Sequence, residues 1–295
     1  MWITDALAAP VDTGAVDVDG ATVRYRAWGP VGTPGLVLVH GGAANARWWD
    51  HIGPLLTRTA IHGDPHRVVA LDLTGHGDSD RREQYGLETW AREVLEVAGP
   101  AGIAGRPTVV GHSMGGMIAW VAARLFGEHL AGIAMIDSPI VERTPEEEAA
   151  RAKRAFGPIK VYPTRDDALA HFRFVPPQDA AVPEVRDHIA RESMREVPGG
   201  WSWKFDPALM TRSGNEHLGA DDPRCRTAYL RAEHGIVTDD QMADMTARFG
   251  ESAIVAEIPD AGHHVMIDRP LALVAAVRVV LAAWAATREN DSPSD

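Results

Sequence analysis

The sequence predicts an α/β protein built on a mostly parallel sheet that opens with an N-terminal antiparallel hairpin. Three observations carry that prediction. Alternating apolar runs meet at Asp19-Gly20, strand-like and helix-like segments alternate after Val39, and a serine sits between glycines directly behind the apolar run Pro107 to Val110.

In chain order, Val16 to Val18 and Thr22 to Trp28 alternate with period two. The Asp-Gly pair between them suits a type I′ turn, whose two central residues both need positive φ. Leu36 to Val39 is a short buried strand ending in His40-Gly41-Gly42, and Val68 to Leu71 is another, followed by Asp72-Leu73-Thr74-Gly75-His76-Gly77-Asp78-Ser79. Leu87 to Ala98 reads as a helix, Pro107 to Val110 as a strand, Met114 to Phe126 as a helix and Gly132 to Asp137 as the next strand. This alternation is that of βαβ units in a parallel sheet. The pattern then changes. From Ser138 to about Asp221 no clean strand is legible, charge is dense between Glu142 and Arg154, and prolines at 158, 163, 176, 177, 183 and 198 punctuate short helical pieces. The core resumes with the strand Thr227 to Ala232, a helix near Asp239 to Phe249, the strand Ala253 to Ile258, a loop over Pro259 to His263, and a last helix from Pro270 to Ala286. Proline suits the first turn of that helix, and Asn290 to Asp295 reads as a frayed tail. The expected organisation is a core of residues 1–137 and 222–295 around a mostly helical insertion, 138–221. There is no internal repeat.

At 295 residues and 45% hydrophobic content the chain can bury a substantial core. Acidic residues exceed basic ones by 41 to 29, a net charge of −12, which argues against nucleic-acid partners and anionic membrane surfaces. A single cysteine, Cys225, permits no intrachain disulfide and no cysteine metal cluster, and no His/Asp spacing specifies a metal. No apolar run reaches membrane-span length, and Met1 to Gly14 lacks a basic n-region. The expectation is a cytoplasmic protein without cofactor or metal.

Gly111-His112-Ser113-Met114-Gly115 between a strand and a helix carries the most chemistry. Ser113 stands where a tight strand-to-helix turn exposes a hydroxyl, and the helix N-terminus offers backbone N–H groups to a developing oxyanion. Together, the His-Gly-Gly, Asp-Leu-Thr-Gly-His-Gly-Asp-Ser, Gly-His-Ser-Met-Gly-Gly and Gly262-His263 landmarks, in this order, resemble the α/β-hydrolase superfamily over roughly Val16 to Ala286. The resemblance implies the α/β-hydrolase fold, with helices on both faces of the sheet and an inserted helical cap over the active site. It implies Ser113 as nucleophile, His263 rather than its neighbour His264 as base, and the backbone N–H groups of Met114, next after the serine, and of Gly42 as the oxyanion donors. The serine speaks against epoxide hydrolases and haloalkane dehalogenases, which use an aspartate at that turn. Asp72, Gly75 and Gly77 are read as turn-forming and packing residues.

The acid departs from the family's commoner pattern. Many members carry it after the seventh strand, where this chain reads Ala232-Glu233-His234-Gly235, with glycine in the aspartate's place. A second branch takes it from the end of the sixth strand, which is Asp137 here. Asp137 is therefore the favoured acid, with Glu233, Asp239 and Asp240 as open alternatives. Trp48, Trp201 and Trp203 are the expected substrate contacts, favouring a small to medium apolar group. The expected activity is hydrolysis of a carboxylic ester or lactone through an acyl-serine. Thioester or carbon–carbon bond hydrolysis and a non-catalytic ligand receptor on the same scaffold are the alternatives, and a homodimer stays open.

Overall fold

The computed structural model describes residues 2–58, 64–141, 144, 147, 160–178, 182–209, 218, 222–250 and 252–290. Apart from Thr144 and Glu147, the charged stretch 142–154 lies outside the described residues, as do Pro158 and residues 291–295.

A short helix α1 (Trp2–Leu7), which the sequence did not announce, precedes the antiparallel pair β1 (Asp12–Val18) and β2 (Ala21–Trp28). The turn between them has Asp19 at φ 50° and Gly20 at φ 76°, the two positive values that a type I′ hairpin requires. Then come β3 (Gly35–Val39), β4 (Arg67–Leu71), α2 (Leu87–Ala98), β5 (Thr108–His112), α3 (Met114–Phe126) and β6 (Gly132–Ile136). After the inserted segment the chain continues as β9 (Thr227–His234), α6 (Asp239–Phe249), β10 (Ile254–Gly262), α7 (Val265–Asp268) and α8 (Pro270–Asn290). The sheet runs β1-β2-β4-β3-β5-β6-β9-β10, with β2 antiparallel to β4 and parallel pairing from β4 to β10.

Every residue of β3, β4, β5 and β6 is buried, as expected of parallel strands covered on both faces. Period two then sorts the side chains. Leu36, Leu38, Val68, Ala70 and Ile136 share one core with Trp49 and with Leu273, Val277 and Trp284 of α8. Val37, Val39, Val69, Leu71 and Met135 share the other with Trp90 and Val94 of α2 and Ile118 and Val121 of α3. With the sheet clamped between helices, the carboxyl ends of β3, β5, β6, β9 and β10 open on one side, where open α/β sheets gather their reactive groups.

Two expectations need correction. The interval 138–221 holds the helices α4 (Arg165–Ala170) and α5 (Pro183–Glu192) but also the hairpin β7 (Met194–Val197) with β8 (Gly200–Trp203). Its turn is Pro198-Gly199, with Gly199 at φ 91° and Gly200 at 141°. The proline that suggested a break between helices is instead the corner of a hairpin too short for alternation to show. At the other end, Pro259 to Gly262 is the bulged end of β10, irregular between Ile258 and Gly262, and not a free loop. No helix among the described residues is long and apolar enough to cross a membrane.

Candidate active site

Ser113 joins β5 to α3 at φ 54°, ψ −118°, a torsion that costs a non-glycine residue of order 1–3 kcal/mol. The turn is tight enough to explain both glycine flanks. A Cβ on Gly111 would run into the Gly115 carbonyl, and one on Gly115 into the carbonyls of Val39 and His40. The Ser113 N–H is held by the Ile136 carbonyl at 3.0 Å, and its side chain is half-buried at the head of α3.

The end of β10 brings His263 to this serine. Its Nε2 is 3.1 Å from Ser113 Oγ and its Nδ1 is 2.7 Å from Asp137 Oδ2, with Asp137 and His263 both buried. A carboxylate facing Nδ1 places the imidazole proton there and leaves Nε2 as the acceptor for the hydroxyl. Asp137 follows β6 at φ 43°, anchored by its N–H on the Leu230 carbonyl at 2.9 Å. The same Oδ2 accepts the Ile236 N–H at 2.9 Å, whereas the buried Oδ1 has no hydrogen-bond partner among the described residues. The other acids are engaged elsewhere. Glu233 is exposed and its Oε2 accepts the Asp260 N–H at 2.7 Å, Asp239 is paired with Arg231 at 2.5 Å, and Asp240 is exposed in the first turn of α6.

Gly235 is more than a missing aspartate, because it has a steric part of its own. A Cβ there would collide with the Asp137 carboxylate. The only sequence signal for that part was the glycine itself, standing where the family's more frequent acid would be.

Gly42 is exposed and adjoins the head of α3, since a Cβ on it would lie 3.8 Å from Met114 Sδ. Among the described residues, neither the Gly42 N–H nor the Met114 N–H has a protein acceptor. Asp72 staples loops, accepting the N–H of Ala46 at 2.7 Å and of Asp78 at 2.8 Å, while burial pushes its carboxyl up to about 6. Gly75 and Gly77 turn the chain beside it at φ 81° and 55°.

His264 makes no hydrogen bond to Ser113. Its Nε2 faces the Pro176 carbonyl at 3.3 Å, and its ring packs against Trp48 and Phe174, each with centroids 5.4 Å away. The inserted segment grips this residue by its backbone as well. Gln178 Oε1 accepts the His264 N–H at 2.8 Å and its Nε2 donates to the His264 carbonyl at 3.3 Å. Trp48 thus reaches the histidine pair and donates Nε1–H to Ser193 Oγ at 3.3 Å. The other two tryptophans pack within the inserted segment: Trp201 lies under the Arg165 guanidinium at 5.3 Å, and Trp203 meets Tyr162 and Phe172 at 5.9 and 5.8 Å. Sequence reasoning missed Gln178 and Ser193, because amides and hydroxyls in an irregular segment carry no pattern. It also found no metal signature, yet the fold gathers His112, His263 and His264, each offering a ring nitrogen, within 4.8 Å of one another.

Comparison with known proteins supplies kinship. A family model described as the alpha/beta hydrolase family matches residues 36–277. Esterase Rv0045c of Mycobacterium tuberculosis is 27% identical over 279 residues, covering 90% of this chain and 88% of that protein. Among solved structures, the hypothetical protein PA1622 from Pseudomonas aeruginosa PAO1 superposes with a TM-score of 0.73 at 25% identity, over 93% of this chain and 99% of that one. The thioesterase domain from the curacin biosynthetic pathway superposes with a TM-score of 0.70 at 19% identity, over 91% and 99%, a likeness of fold alone.

Proposed function

The chain belongs to the alpha/beta hydrolase family, and from that premise we infer that it is a serine hydrolase cleaving a carboxylic ester or lactone of a small to medium apolar substrate. The single observation that carries this reading is His263, with Nε2 at 3.1 Å from Ser113 Oγ and Nδ1 at 2.7 Å from Asp137. In the reaction, Ser113 Oγ attacks the substrate carbonyl as His263 Nε2 takes its proton. Asp137 orients the ring and stabilises the imidazolium. The tetrahedral oxyanion receives the N–H groups of Gly42 and Met114, which have no other acceptor among the described residues. His263 then gives its proton to the leaving alcohol, and water activated by the same nitrogen releases the acid from the acyl-serine.

The segment between β6 and β9 acts in this reading as a cap. Its support is the set of contacts that dock it beside the site: Gln178 on His264, His188 on Asp50 at 2.9 Å, and Arg47 of the core on Glu192 at 2.9 Å. Trp48, Trp201 and Trp203 supply apolar surface, Trp48 nearest the histidines. A cytoplasmic setting belongs to the same proposal, supported by the lone Cys225. The test is labelling by a fluorophosphonate together with turnover of p-nitrophenyl butyrate. Ser113→Ala should lose both. An adduct of the same mass on the alanine variant would overturn the assignment, and labelling of the wild type without turnover of any ester, lactone or thioester would favour a ligand receptor.

A further inference from the structure

His112, His263 and His264 form a cluster of which ester hydrolysis uses one member. One ring nitrogen from each lies within 4.8 Å of the others, and all three side chains are buried. Their ring centroids stand 4.6, 4.8 and 5.6 Å apart. The hydrogen bonds set each tautomer, because a carbonyl or carboxylate can only accept. His112 carries its proton on Nε2, donating to the His263 carbonyl at 2.8 Å. His264 carries its proton on Nε2, toward the Pro176 carbonyl at 3.3 Å. His263 carries its proton on Nδ1, toward Asp137. Each ring is left with one unprotonated nitrogen. That of His264, Nδ1, is buried and has no hydrogen-bond partner among the described residues, a state that asks for an explanation in a folded protein.

We propose that His112, His263 and His264 together bind a transition-metal dication of the zinc and copper class, and that its occupancy switches the hydrolytic site off. Three imidazole donors without a carboxylate suit such ions and not calcium or magnesium. Each ring already has its second nitrogen anchored on a carbonyl or carboxylate, which is how ligating histidines are oriented. With metal–nitrogen bonds of about 2.0–2.1 Å, tetrahedral ligands stand roughly 3.4 Å apart, so nitrogens within 4.8 Å of one another close by up to about 1.4 Å to bind. The fourth position falls to water. A metal on His263 Nε2 occupies the lone pair that would accept the serine proton, so metal binding and base catalysis exclude each other. The inhibition rests on the serine-hydrolase reading. The binding does not.

The test titrates the metal-freed full chain with Zn²⁺ by calorimetry, in wild type and in His264→Phe, which keeps the ring packed against Trp48 and Phe174 but removes its nitrogens. The expected result is one zinc per wild-type chain at this site, affinity weakened about tenfold or more in the variant, and a matching loss of zinc inhibition while metal-free ester turnover persists. A chelator should restore the zinc-treated wild type. Independently of any variant, Cu²⁺ bound to the wild type should show coupling to imidazole nitrogens in its paramagnetic resonance spectrum. Unchanged zinc binding in His264→Phe, no zinc binding by the wild type, or a copper spectrum without nitrogen coupling would each overturn the proposal. Ser113→Ala separates the two readings: it should bind zinc like the wild type, and if it also hydrolysed ester like the wild type, the hydrolase reading would fall while the isotherms still judged the metal site.

Discussion

The neighbouring ends of β6 and β9 invert what their residue types suggest. Asp137, an L-residue, stands at φ 43° where glycine is at home, whereas Gly235 has no backbone torsion that requires glycine. Such a torsion costs a non-glycine residue of order 1–3 kcal/mol, so something other than backbone comfort holds the aspartate at the end of β6. Space explains the pair. The Asp137 carboxylate lies where a Cβ on Gly235 would be, 2.7 Å from His263 Nδ1. One strand end supplies the charge and the other supplies the hole that receives it. The comparison teaches that a position without its expected acid can be a working part of the alternative arrangement.

The most direct way to break this comparison is to remove the charge alone. Asp137→Asn keeps the shape but favours the wrong tautomer of His263, and kcat for a chromogenic ester should fall about a hundredfold or more. Retained activity would show that another group orients the base. Filling the hole comes next: Gly235→Ala drives a methyl into the Asp137 carboxylate, and overpacking of this kind costs about 1–3 kcal/mol. Thermal unfolding should register that loss, with kcat falling about tenfold, whereas an unchanged melting temperature would deny that the glycine is kept for space. Moving the charge across sharpens the comparison. In Asp137→Gly combined with Gly235→Asp, the strained residue at β6 becomes glycine and the acid enters from β9, so kcat should recover about tenfold over Asp137→Gly alone. The smallest effect belongs to Glu233→Gln, since Glu233 accepts the Asp260 N–H and makes no hydrogen bond to His263, and it should leave kcat within about threefold.

Much of this was legible beforehand because it is local. α2 and α3 begin and end at the residues that apolar periodicity indicates, and the Asp19-Gly20 turn has its two positive torsions. The strand-to-helix turn at Ser113 is as its glycines announce, since both are required by carbonyls that pass within the span of a Cβ. The less legible parts were those where neighbours in space decide. The β7–β8 hairpin hid behind Pro198 in a segment of mixed pattern, and the end of β10 read as loop because Pro259 and Asp260 suit a turn as well as a bulge.

By itself, then, the sequence determined the α/β sheet, the serine turn and the short roster of ionisable residues at the strand ends, because each depends on torsions and periodicities within a few residues. Only the tertiary structure decided which roster members meet. The bulge in β10 aims His263 at Ser113 and turns His264 toward Pro176, a difference of one residue in register that composition cannot encode. Packing of β6 against β9 chose Asp137 over Glu233 and left Gly235 as its cavity. Both choices are relations across space between segments distant in the chain, and a linear pattern carries no term for the volume that one segment leaves to another.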